Sequence, residues 1–338
     1  MMVKRIIRNV GAVVAVALAL FSSYGNASAE VKEVRLAKQY GLSYLSLIVM
    51  EEQKLIEKHA KKAGLGDIKV SWATFSSGSV MNDALLSGSV DFASGGVAPL
   101  LTLWDKTKGE VKGVAALDTI PLYLNSNNPA VKSVKDLSSK DRIALPTVKV
   151  SIQAVTLQMA AAKLFGQKNY DKLDKLTVSM KHPDAQAALL SPKSEITAHF
   201  ASPPFMFQEL KDPRVHTIVN SFELLGGPHT FDVVWAHERF HDANPKTYAA
   251  VLAALEEAIA YINRDKRGAA ELYVKASKSK EPVDVIYGYL TKEPIGYTTT
   301  PLNITKYSDF MYQSGSIKNK PNSWKSLFFT NIHNKQGS

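Results

Sequence analysis

The chain of 338 residues contains no cysteine, which excludes a disulfide framework, a thiol nucleophile and a lipid-modified cysteine at a processed N-terminus. Long apolar runs are nearly absent too. The one candidate, Val10–Phe21 (VGAVVAVALALF), is well short of the roughly 20 residues that a helix needs to cross a bilayer. There is no Walker loop and no G-x-G-x-x-G, and Ser77 in Ser76-Ser77-Gly78 has no G-x-S-x-G setting. Nothing in these patterns requires catalysis, and no cofactor is expected.

What is present begins with the N-terminus. Lys4, Arg5 and Arg8 precede the apolar run, no acidic residue occurs before Glu30, and the run is followed by Ala27-Ser28-Ala29. A basic start, an apolar stretch and an A-x-A ending are the parts of a secretory signal peptide. The expectation is cleavage after Ala29, export to the periplasm, and a mature chain of 309 residues beginning at Glu30. The formal charge of +10 falls to +7 with the leader. The remaining lysines are scattered rather than gathered beside aromatics, which argues against nucleic acid as a partner and weakly favours small anions.

The mature chain alternates short β-branched runs with amphipathic helices, the pattern of an α/β architecture with largely parallel sheets. Strands are expected at 31–39, 68–75, 90–96, 111–119 and 121–127, then at 142–146, 176–180, 196–201, 215–222 and 230–237. One helix is expected over 45–63, others over 80–88 and 151–166, and a long one from Asn244-Pro245, where Asn caps and Pro takes the first helical position. The implied organisation is a discontinuous first lobe, 30–121 plus 235–338, with a second lobe, 122–234, inserted into it. Crossings near Asp118–Asn125 and Phe231–His237 would make a hinge.

In open α/β sheets ligands bind beyond the carboxyl ends of strands, beside helix N-termini. Four loops occupy such positions: Gln39-Tyr40-Gly41, Ser76-Ser77-Gly78-Ser79, Gly95-Gly96 and Thr147–Ser151. Unpaired N–H groups and hydroxyls at helix starts suit an anion.

The segments FSSGSVMNDALLSGSVDFASGGVAPLL (75–101), RIALP…SIQAVTLQMAAAKLFG (142–166), MKHPDAQAALL…ITAHFASPPF (180–205) and the Asn244-Pro245 helix start follow one another in a familiar order. Together they resemble the nitrate/sulfonate/taurine-type solute-binding proteins of ABC transporters, the SsuA/THI5-like (NMT1-like) group. The resemblance implies a type II periplasmic binding protein, two α/β lobes joined by a two-crossing hinge. It would be a non-enzymatic monomer that closes on a small organic anion and presents it to a membrane permease. An alkanesulfonate such as taurine leads, with a carboxylate or a pyrimidine precursor behind it. By the same resemblance Gln39 and Tyr40 would line one wall, Ser76, Ser77 and the Gly95-Gly96 backbone would meet the polar head, and Thr147 and Ser151 would do so from the second lobe. Phe205 and Trp235 would close on the apolar part. Where relatives have a Gly-Ser turn, this chain has Thr147-Val148-Lys149-Val150-Ser151, so Lys149 either supplies a charge or points to solvent.

The rival constellation is His237-Glu238-Arg239-Phe240-His241, a literal H-E-x-x-H, the zinc metalloprotease spacing. Strand-like residues before it and Asn244-Pro245 just after it leave room for only about a turn of helix. A signalling sensor would be partnered with further sequence, and a precursor-making enzyme of vitamin B1 biosynthesis would be expected without a leader.

Overall fold

A computed structural model describes residues 30–338. The expected leader, 1–29, lies outside the described residues. Twelve strands run in chain order: β1 (Glu33–Lys38), β2 (Lys69–Thr74), β3 (Phe92–Gly96), β4 (Val111–Ala116), β5 (Asp118–Thr119), β6 (Tyr123–Ser126), β7 (Ile143–Leu145), β8 (Thr177–Ser179), β9 (Ala198–Ala201), β10 (His216–Asn220), β11 (Asp232–His237) and β12 (Gly296–Tyr297). They form two five-stranded mixed sheets, β2-β1-β3-β11-β4 and β10-β6-β9-β7-β8, and a small β12-β5 ribbon. Among the described residues, no helix is long and apolar enough to cross a membrane.

The composition of each strand matches its place. β3 and β11 lie inside the first sheet and are buried along almost their whole length; β3 reads as apolar or small residues throughout, and β11 as an apolar run between Asp232 and His237. β2, at the edge, is half-buried and ends in exposed Lys69 and Thr74. Trp235, Phe92 and Leu36 are among the largest fully buried side chains, Phe92 lying against Tyr248 of the helix 245–264 and Trp235 on the opposite face against Gly78 and Gly95. Burying each such side chain contributes roughly 1.5 to 3 kcal/mol. In the second sheet β9 is central and wholly buried, flanked by β6 and β7.

Two differences from the sequence reading matter. The helix expected over 45–63 is two helices, because Lys54 adopts a left-handed φ of 51° between Glu52 and Leu55. The return crossing also comes earlier than 231–237. β11 pairs along its whole length with β3 and β4, so the chain is back in the first sheet by Asp232 and crosses over 221–231. A lobe boundary at 234/235 would cut this strand. The apolar composition of TFDVVWAH gave a strand but not the sheet it joins.

The crossings are tied to each other. Asp118 Oδ1 accepts the backbone N–H groups of Phe231 and Asp232, both at 3.2 Å. Leu122 N donates to Ser221 Oγ at 2.8 Å, and Ser221 N donates back to Leu122 O at 3.0 Å. The helix Ile304–Gln313 then lies across both lobes: Tyr307 reaches Thr156 at 3.2 Å, and Ser314 O accepts from Tyr170 at 3.2 Å. Asp118→Ala removes the shared acceptor while Asp118→Asn keeps it. The alanine variant is therefore expected to be the less stable of the two by about 1 to 3 kcal/mol, measured by urea unfolding at pH 7.

Candidate functional site

Three helices begin where the lobes meet: Gly78–Leu86 and Val97–Lys106 from the first lobe, Ile152–Phe165 from the second. The two from the first lobe follow strand ends of serine and glycine, where the lack of side chains lets the lobes approach closely; the third follows Thr147–Ser151. A Cβ on Gly96 would stand 2.5 Å from Ile152 Cγ2 across the interface. Gly41, at φ 111°, would carry a Cβ 2.6 Å from the Pro203 carbonyl oxygen, while Leu42 N donates to that oxygen at 2.9 Å. A hydroxyl chain adds a polar bridge, from Ser77 through Ser79 to Thr147, each step 3.0 Å.

Between these loops lies an inner cavity of about 10 Å³, shut by direct contact of the lobes and lined by Gln39, Tyr44, Gly96, Ser151, Ser202 and Asp232 among others. No Lys or Arg lines it. An outer cleft of about 670 Å³ adjoins it, sharing Gln39 and Tyr40 and adding Phe205 and Lys278.

The expected site residues divide accordingly. Gln39, Tyr40, Gly96 and Ser151 line the inner cavity, and Phe205 lines the outer cleft. Ser151 is committed as a helix cap, accepting from Ala154 N and donating to Thr147 O. Ser77 and Thr147 belong to the hydroxyl bridge. Gly95 faces Gln39, whose Nε2 would lie 3.0 Å from a Cβ there. Trp235 is fully buried beneath the floor, its ring against Gly78 and Gly95, and Ser76 is exposed; neither lines these cavities. Lys149 is exposed with a φ of 66°, a glycine-like conformation.

Sequence reasoning missed the polar groups at the back of the cavity. Asp232 is fully buried, and neither of its carboxylate oxygens completes a hydrogen bond. Burial pushes its pKa up to about 7, with the nearby Ser43 and Tyr44 hydroxyls pulling the other way. Burial, followed by the Asp232 charge, also pushes Asp118 well up, so the pair retains a proton near neutrality. The signal was a single acid inside the apolar run FDVVWA.

On the other lobe, His182 lines the cavity and is the end of a buried chain. Its Nδ1 contacts His199 Nε2 at 2.8 Å, and His199 Nδ1 contacts Glu209 Oε1 at 2.5 Å. Burial, then the neighbouring His199, holds the His182 pKa well below the usual imidazole range. With the Gln153 amide donating to it at 3.3 Å, His182 Nε2 is an acceptor and Nδ1 carries the proton. His182 also stacks on Phe205, with centroids 5.6 Å apart.

The H-E-x-x-H segment is arranged otherwise. His237 precedes the six-residue helix Glu238–Ala243 as its cap, accepting from Arg239 N at 3.2 Å. His241 stacks on Phe329 at 4.5 Å. Among the described residues, no three metal-ligating side chains converge.

A carboxyl whose pKa is raised on folding favours the folded state fully below its unfolded pKa, and that benefit disappears as pH rises through the folded pKa. For Asp232 the window runs from about 4 to about 7. Between pH 5 and 8 the unliganded protein should lose stability relative to Asp232→Asn, on the order of 2 kcal/mol, measured by parallel denaturant titrations. The comparison cancels buried His182 and His229, whose lowered pKa values act in the opposite direction and are common to both proteins.

No functionally curated protein matches the chain in sequence. Among solved structures it is similar to the alkanesulfonate-binding protein SsuA of Xanthomonas axonopodis pv. citri bound to MOPS, with a TM-score of 0.69 at 21% identity over 87% of this chain and 96% of that one. It is also similar to the periplasmic aliphatic sulphonate-binding protein SsuA of Escherichia coli, with a TM-score of 0.62 at 20% identity over 89% and 93%. A third is the periplasmic nitrate-binding protein NrtA of Synechocystis PCC 6803, with a TM-score of 0.63 at 15% identity over 89% and 84%. These likenesses show the periplasmic-binding-protein fold. The NMT1-like family model matches residues 27–276, most of the chain, and the protein belongs to that family.

Proposed function

We propose that this protein is the exported solute-binding component of an ABC importer. It captures a small organic anion between its lobes and hands it, as a monomer, to a membrane permease. One observation carries the reading: three helix N-termini, drawn from both lobes, open on one cavity that the lobes themselves shut. Serial N–H groups and helix dipoles favour negative charge there without a basic side chain. A ligand touching both lobes favours the closed arrangement by its differential affinity for it. The alkanesulfonate-binding and nitrate-binding names of the similar structures agree with an oxyanion head. Among anions an alkanesulfonate leads, because Phe205, stacked on His182, offers an apolar tail a flat surface in the adjoining cleft. A carboxylate and a pyrimidine-type compound are the other ligand classes to be tried.

The experiment is a thermal-shift screen of residues 30–338, freed of ligand by unfolding and refolding, against sulfonates, carboxylates, nitrate, pyrimidines and zinc. Ligand at 100 times its dissociation constant adds about 2.7 kcal/mol. A response confined to the anions supports the reading; a response to zinc alone removes it. Gly96→Ala sets a methyl group against Ile152 across the interface. It is expected to weaken the responding ligand about tenfold or more by calorimetry, since the lobes can no longer approach as closely.

A further inference from the structure

A buried polar chain runs from the cavity wall into the second lobe. It begins at Gln153 and His182, passes through His199 on the central strand β9, and reaches Glu209 at the end of the helix Phe205–Glu209. His199 and Glu209 are fully buried, and Glu209 bonds to His199 and to the Asn125 amide, which donates to Oε2 at 2.9 Å, rather than to a Lys or Arg. Asn125 is pinned in that orientation: its amide nitrogen also donates to Met206 O at 3.0 Å, and its oxygen accepts from Thr217 Oγ1 at 2.8 Å. As the chain stands, Gln153 donates to His182 Nε2, His182 Nδ1–H to His199 Nε2, and His199 Nδ1–H to the Glu209 carboxylate. The two rings hold one proton each, and a negative charge lies out of reach of water, which is costly.

An oxyanion reaching this wall meets two conflicts. No Lys or Arg lines the cavity to balance a second negative charge, and His182 offers a lone pair at Nε2 where the anion needs a donor. At about 10 Å³ the shut cavity has room for about one water, so the oxyanion meets the wall with the lobes further apart than they stand here. One added proton removes both conflicts. With that proton held between Glu209 Oε1 and His199 Nδ1, His199 donates from Nε2 to His182 Nδ1, and His182 carries its own proton on Nε2, facing the oxyanion. The chain then holds three protons and no net charge; the third has come from solvent, because the pinned Asn125 cannot supply it. Gln153, released from His182, is free to donate to the same oxyanion. We infer that capture of the anion is coupled to uptake of one proton by the His182–His199–Glu209 chain, with Glu209 the positioning residue that stores it. This rests on the anion-binding reading above and adds its charge balance. Around the chain, β7 brings no titratable residue, Tyr123 of β6 packs on Phe207, His216 of β10 meets Val131 O, and Lys181 pairs with Asp184 on the exposed side of its helix start. Across the cavity stand Tyr40, Tyr44 and Asp232, with Asp118 behind, so Asp232 is the rival acceptor of the proton.

The test is calorimetry with methanesulfonate, acetate and nitrate in buffers of different ionisation enthalpy, which counts the protons taken up with each anion. The wild-type protein should take up close to one, and its affinity should rise about tenfold for each unit that pH falls between 8 and 6. Glu209→Gln keeps the shape, accepts from Asn125 and donates to His199, and so fixes the proton-loaded arrangement. It is expected to lower the uptake by close to one proton and to remove most of the pH dependence. Uptake unchanged in Glu209→Gln assigns the proton to Asp232 and overturns the inference. Where that variant fails to fold, imidazole nitrogen NMR of the wild type decides: His182 should be protonated on Nδ1 without anion and on Nε2 with it. An anion that binds with no proton taken up, or with the His182 tautomer unchanged, overturns the inference and leaves the anion-binding reading standing. Silence towards all three anions at both pH 6 and pH 8 overturns both.

Discussion

A single buried carboxyl oxygen ties the two crossings between the lobes together. Asp118 leaves the first sheet at one crossing and holds the backbone of Phe231 and Asp232, where the other crossing returns. Both strands between the lobes thereby share one acceptor, and any rotation of the lobes turns about a point where the crossings are fastened. Burial raises the cost of ionising Asp118, and the charge of its neighbour Asp232 adds to it, because two like charges in a site closed to water repel strongly. The crossings and the inner cavity thus meet at two adjacent carboxyls.

The closing surfaces are built from absence of side chains. Gly96 against Ile152 and Gly41 against the Pro203 carbonyl bring backbone to backbone, and the helix starts reach the cavity because nothing stands in front of them. The hydroxyl bridge Ser77–Ser79–Thr147 gives the interface a polar register as well. A surface of this kind closes in one way only, since a single methyl group displaces it.

Much of the architecture was legible. Alternating strand and helix patterns, the Gly166 C-cap, at φ 89°, and the Asn244-Pro245 helix start come from local chemistry that tertiary structure does not override. The break at Lys54 was not legible, because neither glycine nor proline marks it. Four strand-end loops could be picked out because a strand end leading into a helix start has a readable pattern, and the structure brings residues of all four to the face between the lobes. What those loops do individually was not readable: spacing cannot tell that Ser151 caps its own helix or that Trp235 lies beneath the floor. The acid at the back of the cavity is the instructive omission. A charge inside an apolar strand is costly unless something answers it, so Asp232 carried a signal that a search for hydroxyls and glycines passed over.

The helix Ile304–Gln313 lies across both lobes like the spine of a bound book. It grips Thr156 and Tyr170 in the inserted lobe while packing on the helix Val97–Lys106 of the other. Covers fastened along a spine part at the fore-edge, and here the fore-edge is the outer cleft, where Tyr40 and Phe205 face each other from different lobes. On the proposed function this cleft would be the solute's way in. With the helix starts at the inner cavity and Phe205 at the outer cleft, a solute bound as proposed would lie with its polar head inward and the remainder towards Phe205.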